Sequence, residues 1–215
     1  ANLVLNHPFS SLAKKSDIMT SYALYQNNEI IKSISKLENY IEMNPKDEFS
    51  DYAHYLLAMC YYIQITNQGR DPGLSKKALN SFKLILTKYP NSKYAKDSKM
   101  KILYIHNSLA NNELNIGKFY LKKNAPASSI KRFKFILQNY QNTSVIPETL
   151  YRLTEAFLMI GLKKEAVKSD AVLKYNFPDN DWTNLSKGLL ADSSSYNQRE
   201  ALTTSIKNYF VTIFD

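Results

Sequence analysis

Between Gly69 and Asp97 the chain reads GRDPGLSKKALNSFKLILTKYPNSKYAKD, and within it Ala78, Phe82 and Pro90 stand in the relation A-x3-F-x7-P. That spacing restricts the fold more than any other feature. Asp71 is suited to cap a helix N-terminus, and Pro72 to its first turn. Ala78, Phe82, Ile85 and Leu86 then recur at helical spacing. Pro90 stops the helix, because proline has no N–H to donate and its ring clashes with the preceding turn. The small Ala lets a second helix approach closely, and the Phe fills the space behind the pair. A helix with one such face cannot bury it alone, so the unit calls for neighbours of the same kind.

The stop position recurs at Pro8, Pro45, Pro90, Gln141 and Pro178, at intervals of 37, 45, 51 and 37 residues. The two long intervals have located causes. One is an insertion around Thr66-Asn67-Gln68-Gly69-Arg70; the other is an extended helix beginning at Tyr94. Ala166 precedes Pro178 by twelve residues, as Ala78 precedes Pro90. Gly117 and Tyr120, then Leu153 and Phe157, fall at further positions of the tetratricopeptide pattern, whose period is about 34 residues. The expected fold is all-α: a tetratricopeptide-repeat (TPR) solenoid of antiparallel helix pairs, with one long helix near residues 94–123. Residues 1–182 are expected to form the TPR-like superhelix. Residues 1–9 read as the end of a first repeat that the chain enters part-way, and full repeats lie near 12–45, 49–90, 93–141 and 147–178. After Pro178 the pattern fades. Trp182, Leu185, Leu189 and Leu190 suggest a helix that Ser193-Ser194-Ser195 breaks, and residues 183–215 read as a C-terminal helical tail.

Several function classes are excluded by what the chain lacks. No apolar run reaches the roughly 18 residues that span a bilayer. The single cysteine, Cys60 in LLAMCYY, cannot form an internal disulfide and reads as a small buried apolar residue. His7, His54 and His106 are far apart with no ligand spacing, so no metal is implied. There is no phosphate loop, nucleophile elbow or CxxC pair, and no cofactor is called for. Pairs such as Glu38 and Glu42 read as solvated faces rather than an acid–base couple. Net charge is +9, spread over Lys14-Lys15, Lys76-Lys77, Lys122-Lys123, Lys131-Arg132 and Lys163-Lys164. This favours acidic partners or anionic headgroups. The chain has no zinc ligands, RNP motif or basic arm, so nucleic acid is not an expected partner.

What remains is surface. In a stack of such repeats the first helix of each pair faces the groove. Counting from the stops, the groove positions hold Ile18, Tyr22 and Tyr25 in one repeat and Tyr52, Tyr55, Met59 and Tyr62 in the next. Five tyrosines and a methionine could clasp an extended apolar peptide, since Tyr gives rigid area and Met adapts to shape. Equally, these rings could pack the interface between repeats. Later groove positions are mixed: Leu114, Lys118 and Leu121, then Glu148, Tyr151 and Glu155. The change of character suggests two binding regions. One is an aromatic N-terminal peptide groove; the other is a more polar C-terminal partner surface with Lys118, Glu148, Tyr151 and Glu155.

The segment RDPGLSKKALNSFKLILTKYPNSKYAKD resembles the corresponding stretch of the BamD family, the tetratricopeptide lipoproteins of the outer-membrane β-barrel assembly machine. The family pattern is similar to RDP, then A-x3-F, then YPxSxYxxDA. The resemblance continues through LYIHNSLANNELNIGKFYLKKNAPASSIKRFKFILQNYQNT, similar to the family's long helix, turn and stop, and through PETLYRLTEAFLMIGLKKEA, similar to its last repeat. It covers Leu12 to Trp182. YPNSKYA alone would also fit the periplasmic Tol-associated tetratricopeptide adaptors; the Arg-Asp-Pro insertion and the long helix favour BamD. Three departures are mild: Gln141 for the usual Pro, Asn124-Ala125 for a Gly-Ala turn, and Ser98 for Ala. NHPFS resembles the end of the family's first repeat.

The resemblance implies a non-enzymatic scaffold at the periplasmic face of the outer membrane, lipid-anchored in the full-length protein through a Cys absent from this chain. It implies that the C-terminal repeats hold the periplasmic POTRA region of BamA, and that the N-terminal groove helps receive unfolded outer-membrane proteins through an aromatic-ended signal. The machine's other lipoproteins are further expected partners.

Overall fold

A computed structural model describes residues 10–67 and 72–189. The remnant expected at residues 1–9, Arg70-Asp71 of the insertion and the tail beyond residue 189 lie outside the described residues. Nine helices are described: α1 Ser11–Gln26, α2 Ile30–Met43, α3 Ser50–Asn67, α4 Pro72–Lys88, α5 Ala95–Lys122, α6 Pro126–Asn139, α7 Ile146–Met159, α8 Lys163–Asn176 and α9 Asp181–Leu189. The chain divides into two compact units, residues 1–105 and 106–215, and α5 runs from the first into the second. No described helix is long and apolar enough to cross a membrane.

Consecutive helices pack against one another: α1 on α2, α2 on α3 and α3 on α4 in the first unit, then α6 on α7 and α7 on α8 in the second. Ile18, Ile30, Leu37, Tyr40, Ala53, Leu56 and Cys60 form a core of the first unit. The second unit's core gathers Leu114, Phe133, Ile136, Leu150, Leu153, Phe157 and Leu173, among others. The positions matching Ala78 and Phe82 show why the pattern recurs. Twelve residues before each stop stand Ser33, Ala78, Ser129 and Ala166, all fully buried. Eight residues before each stop stand Leu37, Phe82 and Phe133, also fully buried, and in the last repeat Asp170, 4% exposed. Asp170 departs from the apolar rule and is paired with Lys174, 2.6 Å away on the next turn.

The backbone repeats more strictly than the side chains. Within three of the pairs the turn contains one left-handed residue: Asn28 (φ 61°), Asn124 (φ 55°) and Gly161 (φ 76°). Each is followed by a bond reaching back five residues, Glu29 N–H to Leu24 O, Ala125 N–H to Tyr120 O and Leu162 N–H to Phe157 O. This is the Schellman ending, which needs a residue tolerant of positive φ. Asn tolerates it because its side chain is short and polar. Asn124 can therefore replace the glycine expected there without distorting the turn.

Between pairs, a second motif recurs four times. Asp47, Ser92, Thr143 and Asn180 donate their N–H groups to Asn44, Tyr89, Tyr140 and Phe177, and Ser50, Ala95, Ile146 and Thr183 donate to those four in turn. Gln141 sits in one of these connectors and does not disturb it. The fourth connector leads into α9, which packs on α7 and α8. By backbone geometry α9 begins like the first helix of a further repeat, a continuation that the fading side-chain pattern after Pro178 concealed.

Asp47 anchors the first connector. Its carboxylate accepts from the Tyr40 hydroxyl, from Lys14 Nζ at 2.8 Å and from the Phe49 N–H at 3.2 Å. Burial by itself would raise the Asp47 pKa, but these donors outweigh it and hold the group below its ordinary 3.8. A carboxylate depressed in the folded state contributes stability that is present above its unfolded pKa and lost as pH falls through the folded value. Asp47→Asn is expected to cost roughly 1–3 kcal/mol at neutral pH. It should also flatten the loss of stability below about pH 4, as read by urea unfolding across a pH series. An unchanged acid limb in the variant would contradict this.

Candidate functional site

The expected groove residues of α3 form one stripe: Tyr52, Tyr55, Met59 and Tyr62. Directly against it runs a second stripe of the same spacing, Tyr94, Asp97, Lys101 and Tyr104, on α5 and the residue before it. Tyr94 stacks on Tyr55 (centroids 4.6 Å, planes 17° apart) and lies 5.3 Å from Tyr52. The Tyr55 hydroxyl donates to Asp97 Oδ2 at 2.7 Å. Tyr104 meets Tyr62 edge-on at 5.9 Å, and Lys101 Nζ sits 4.9 Å from the Tyr62 ring centre. Beneath both, the buried ring of Phe82 meets Tyr55 at 6.3 Å and Tyr62 at 6.2 Å. Edge-to-face contacts of this kind contribute beyond simple area burial.

The α1 residues divide. Ile18 is only 3% exposed and belongs to the core, so its contribution is to packing rather than to a surface. Tyr22 is 38% exposed, and its hydroxyl accepts from Gln26 Nε2 at 2.7 Å. Tyr25 is half-buried against the same core. The Tyr52 phenol is pushed up to about 12, chiefly by burial and then by the neighbouring Tyr94, Tyr22, Cys60 and Tyr25 groups. Burial and the Asp97 hydrogen bond raise Tyr55 as well. These two phenols therefore stay neutral at physiological pH and keep their O–H donors. The surface is aromatic, internally braced and open at Tyr104, 58% exposed.

The C-terminal residues converge on one cluster. Lys118 of α5 lies 2.8 Å from Glu148 of α7, a charge contact without hydrogen-bond alignment. Arg152 reaches back to Glu148 at 3.6 Å and forward to Glu155 at 2.9 Å. Its guanidinium lies 5.3 Å from the Tyr151 ring centre and 5.4 Å from that of Trp182, and those two rings are 5.1 Å apart. Arg152 thus gathers Glu148, Tyr151 and Glu155, Lys118 joins them through Glu148, and Trp182 of α9 completes the group.

Sequence reasoning missed Arg152 and Trp182 here, and Tyr94, Asp97, Lys101 and Tyr104 in the first unit. Arg152 carried a signal: it stands four residues after Glu148 and three before Glu155, the spacing of helical ion pairs. Likewise, Tyr94 to Tyr104 repeats the 52, 55, 59, 62 spacing.

The remaining reactive groups are structural. The Cys60 thiol is buried, donates to Ser33 Oγ at 3.4 Å and is pushed up by burial. Burial, then Lys88, lowers the His54 imidazole, and its ring packs 5.6 Å from Tyr89. His106 packs on Tyr140 in the same way at 5.7 Å. His7 lies outside the described residues. Among the described residues no group of His, Cys, Asp and Glu side chains is placed to hold a metal.

Residues 1–173 match the family described as "YfiO: Outer membrane lipoprotein". Curated relatives similar to this chain carry the name outer membrane protein assembly factor BamD. The one from Caulobacter vibrioides is 40% identical over 82% of this chain and 58% of its own length. That from Rickettsia prowazekii is 38% identical over 82% of this chain and 70% of its own. That from Neisseria meningitidis serogroup A is 29% identical over 80% and 68%. The chain therefore spans a little over half of the Caulobacter relative. A crystal structure of a thermophilic TPR protein from Thermus thermophilus aligns with 83% of this chain and all of its own at 18% identity, but its TM-score of 0.33 is too low to bear on the fold.

Proposed function

We propose, on the premise that the chain belongs to the YfiO family of outer membrane lipoproteins, that it is a non-enzymatic scaffold for outer membrane protein assembly. It acts at the periplasmic face of that membrane as the BamD component of the β-barrel assembly machine. In this reading the N-terminal aromatic surface receives extended segments of unfolded outer-membrane proteins, and the Lys118–Glu148–Arg152 cluster meets the POTRA region of BamA. The observation that carries the reading is the paired stripe of Tyr52, Tyr55 and Tyr62 against Tyr94 and Tyr104. It offers rigid rings to an extended backbone, with the Tyr52 hydroxyl neutral and the Tyr55 hydroxyl held by Asp97, a composition suited to peptide contact. The cluster on α7 offers charges of both signs with an aromatic backing, which suits a polar protein surface.

One experiment tests both halves. The chain is titrated with a labelled peptide ending in Phe and, separately, used to capture BamA periplasmic domains. Tyr62→Ala with Tyr104→Ala should weaken the peptide at least about tenfold, as for a central aromatic contact, and leave capture intact. Glu148→Lys should do the reverse. Peptide affinity unchanged in the tyrosine pair would overturn the first assignment, and capture unchanged in Glu148→Lys the second.

A further inference from the structure

From Pro72 to Lys101 the chain has eight lysines, one aspartate and no glutamate. Those thirty residues hold a net charge of +7, against +9 for all 215. They make up α4, the following connector and the front of α5. Seven of the eight lysines are exposed. Asp97, the sole acid, is engaged by the Tyr55 hydroxyl. Among the described residues none of the eight lysines is ion-paired, whereas Lys14, Lys36, Lys118, Lys168 and Lys174 each have a carboxylate. Where the eight have partners these are neutral rings: Lys88 over Tyr89 at 5.8 Å and Lys93 over Tyr94 at 5.1 Å, for example. The positive charge is therefore uncompensated.

The charge is concentrated where α4 turns into α5, at Lys88, Lys93, Lys96 and Lys99. Beside it on α5, Met100 and Leu103 are 61% and 40% exposed. Lys96, Met100 and Leu103 follow one another at i, i+4 and i+7, so they share a face that is not the one packed on α3. We infer that this corner docks on an anionic phospholipid bilayer, with the lysines among the headgroups and Met100 and Leu103 at the acyl boundary.

Three features favour a bilayer over an acidic protein. The patch is entirely lysine. A lysine is a mobile point charge suited to a fluid array of headgroups, whereas arginine's rigid fork suits a fixed carboxylate. A run of four to eight such residues is the size that anionic membranes attract. The exposed apolar pair beside the charge is what interfacial helices present to lipid. The inference stands on charge and exposure and is independent of the proposed peptide and BamA contacts.

The test is co-sedimentation of the chain with vesicles of phosphatidylethanolamine and phosphatidylglycerol, and with vesicles of phosphatidylcholine alone. Binding is expected to the first only, and to vanish near 1 M salt, where the Debye length is roughly 3 Å. The variant K88Q/K93Q/K96Q/K99Q should lose at least about tenfold in partitioning. The variant K15Q/K46Q/K131Q/K163Q removes the same charge from exposed sites elsewhere and should lose no more than about twofold. All eight positions are exposed, so circular dichroism should be unchanged in both. Absence of binding by the parent chain, or equal loss in both variants, would overturn the inference. So would a corner variant that keeps its vesicle binding but loses a poly-glutamate peptide, which would assign the corner to acidic protein.

Discussion

Phe82→Ala is expected to destabilise the N-terminal unit by about 3–5 kcal/mol, the range for truncating a fully buried aromatic ring. Phe82 has no exposed surface, so the lost ring leaves a cavity as well as forfeiting its transfer free energy. The effect extends beyond stability because the Tyr55 and Tyr62 rings both rest edge-on against it. Each such pair contributes about 0.5–1.5 kcal/mol, so without Phe82 neither tyrosine is held in place from below. The urea midpoint should fall, the near-ultraviolet tyrosine dichroism should collapse, and affinity for the Phe-ended peptide should fall with it. Phe82→Leu separates the two roles. Leucine is the native residue at the matching position, Leu37, so this variant should keep most of the stability. It should still lose part of the peptide affinity, because leucine has no ring edge to offer. Equal peptide binding by Phe82→Leu and the parent chain would show that Phe82 is a packing residue only.

The parts of this molecule that were legible in the sequence are those where a single residue type has one physical use. Proline at positions 45, 90 and 178 cannot continue a helix, and Ala or Ser twelve residues earlier is needed wherever two helices touch. The long helix, with no proline to stop it, runs Ala95–Lys122, within one residue at each end of the 94–123 that spacing predicts. Asp170 hid the last repeat's packing position, because a buried acid there is tolerated only through Lys174, a partner that the pattern does not require. The entry into α9 was hidden for a different reason. Its regularity lies in backbone bonds at Phe177 and Asn180, and many side chains are compatible with those.

The candidate surfaces were half legible for a related reason. Helical spacing shows which residues of one helix share a face, so Tyr52, Tyr55 and Tyr62 could be grouped. It does not show which other helix comes opposite, so Tyr94 and Tyr104 were not paired with them. Ile18 shares a stripe with Tyr22 and Tyr25 but faces the core, because a stripe about 100° wide includes residues on both sides of the burial boundary. Arg152 is held between the rings of Tyr151 and Trp182, which come from two helices, and spacing within α7 does not bring Trp182 opposite it.

Gly117→Ala tests the close approach at which the repeat is most demanding, and two effects oppose each other. Alanine is the better helix former by about 1 kcal/mol, and Gly117 lies inside α5. A methyl group there would, however, stand 2.3 Å from Phe133 Cε1 and 2.8 Å from Cδ1 and Cζ. The Phe133 ring is fully buried, packed in the second unit's core, and has no free volume to move into. Overpacking of this kind costs about 1–3 kcal/mol, and with so short a contact it should outweigh the helix gain. The net expectation is a loss of roughly 1–2 kcal/mol. The other repeats indicate the remedy. Seven residues before the left-handed turn residue, where this repeat has Gly117, the first and last repeats hold Ser21 and Thr154, both fully buried. Their second helices carry Leu37 and Asp170 where this one carries Phe133. In this repeat a glycine accompanies the large ring, and in those two a larger residue accompanies a smaller partner. Phe133→Leu should therefore make room for the methyl group: in that background Gly117→Ala is expected to be neutral or stabilising. The double-mutant cycle should give a favourable coupling of at least about 1 kcal/mol. Additive effects in the cycle would mean that the ring is not the obstacle, and that the glycine serves the helix in another way.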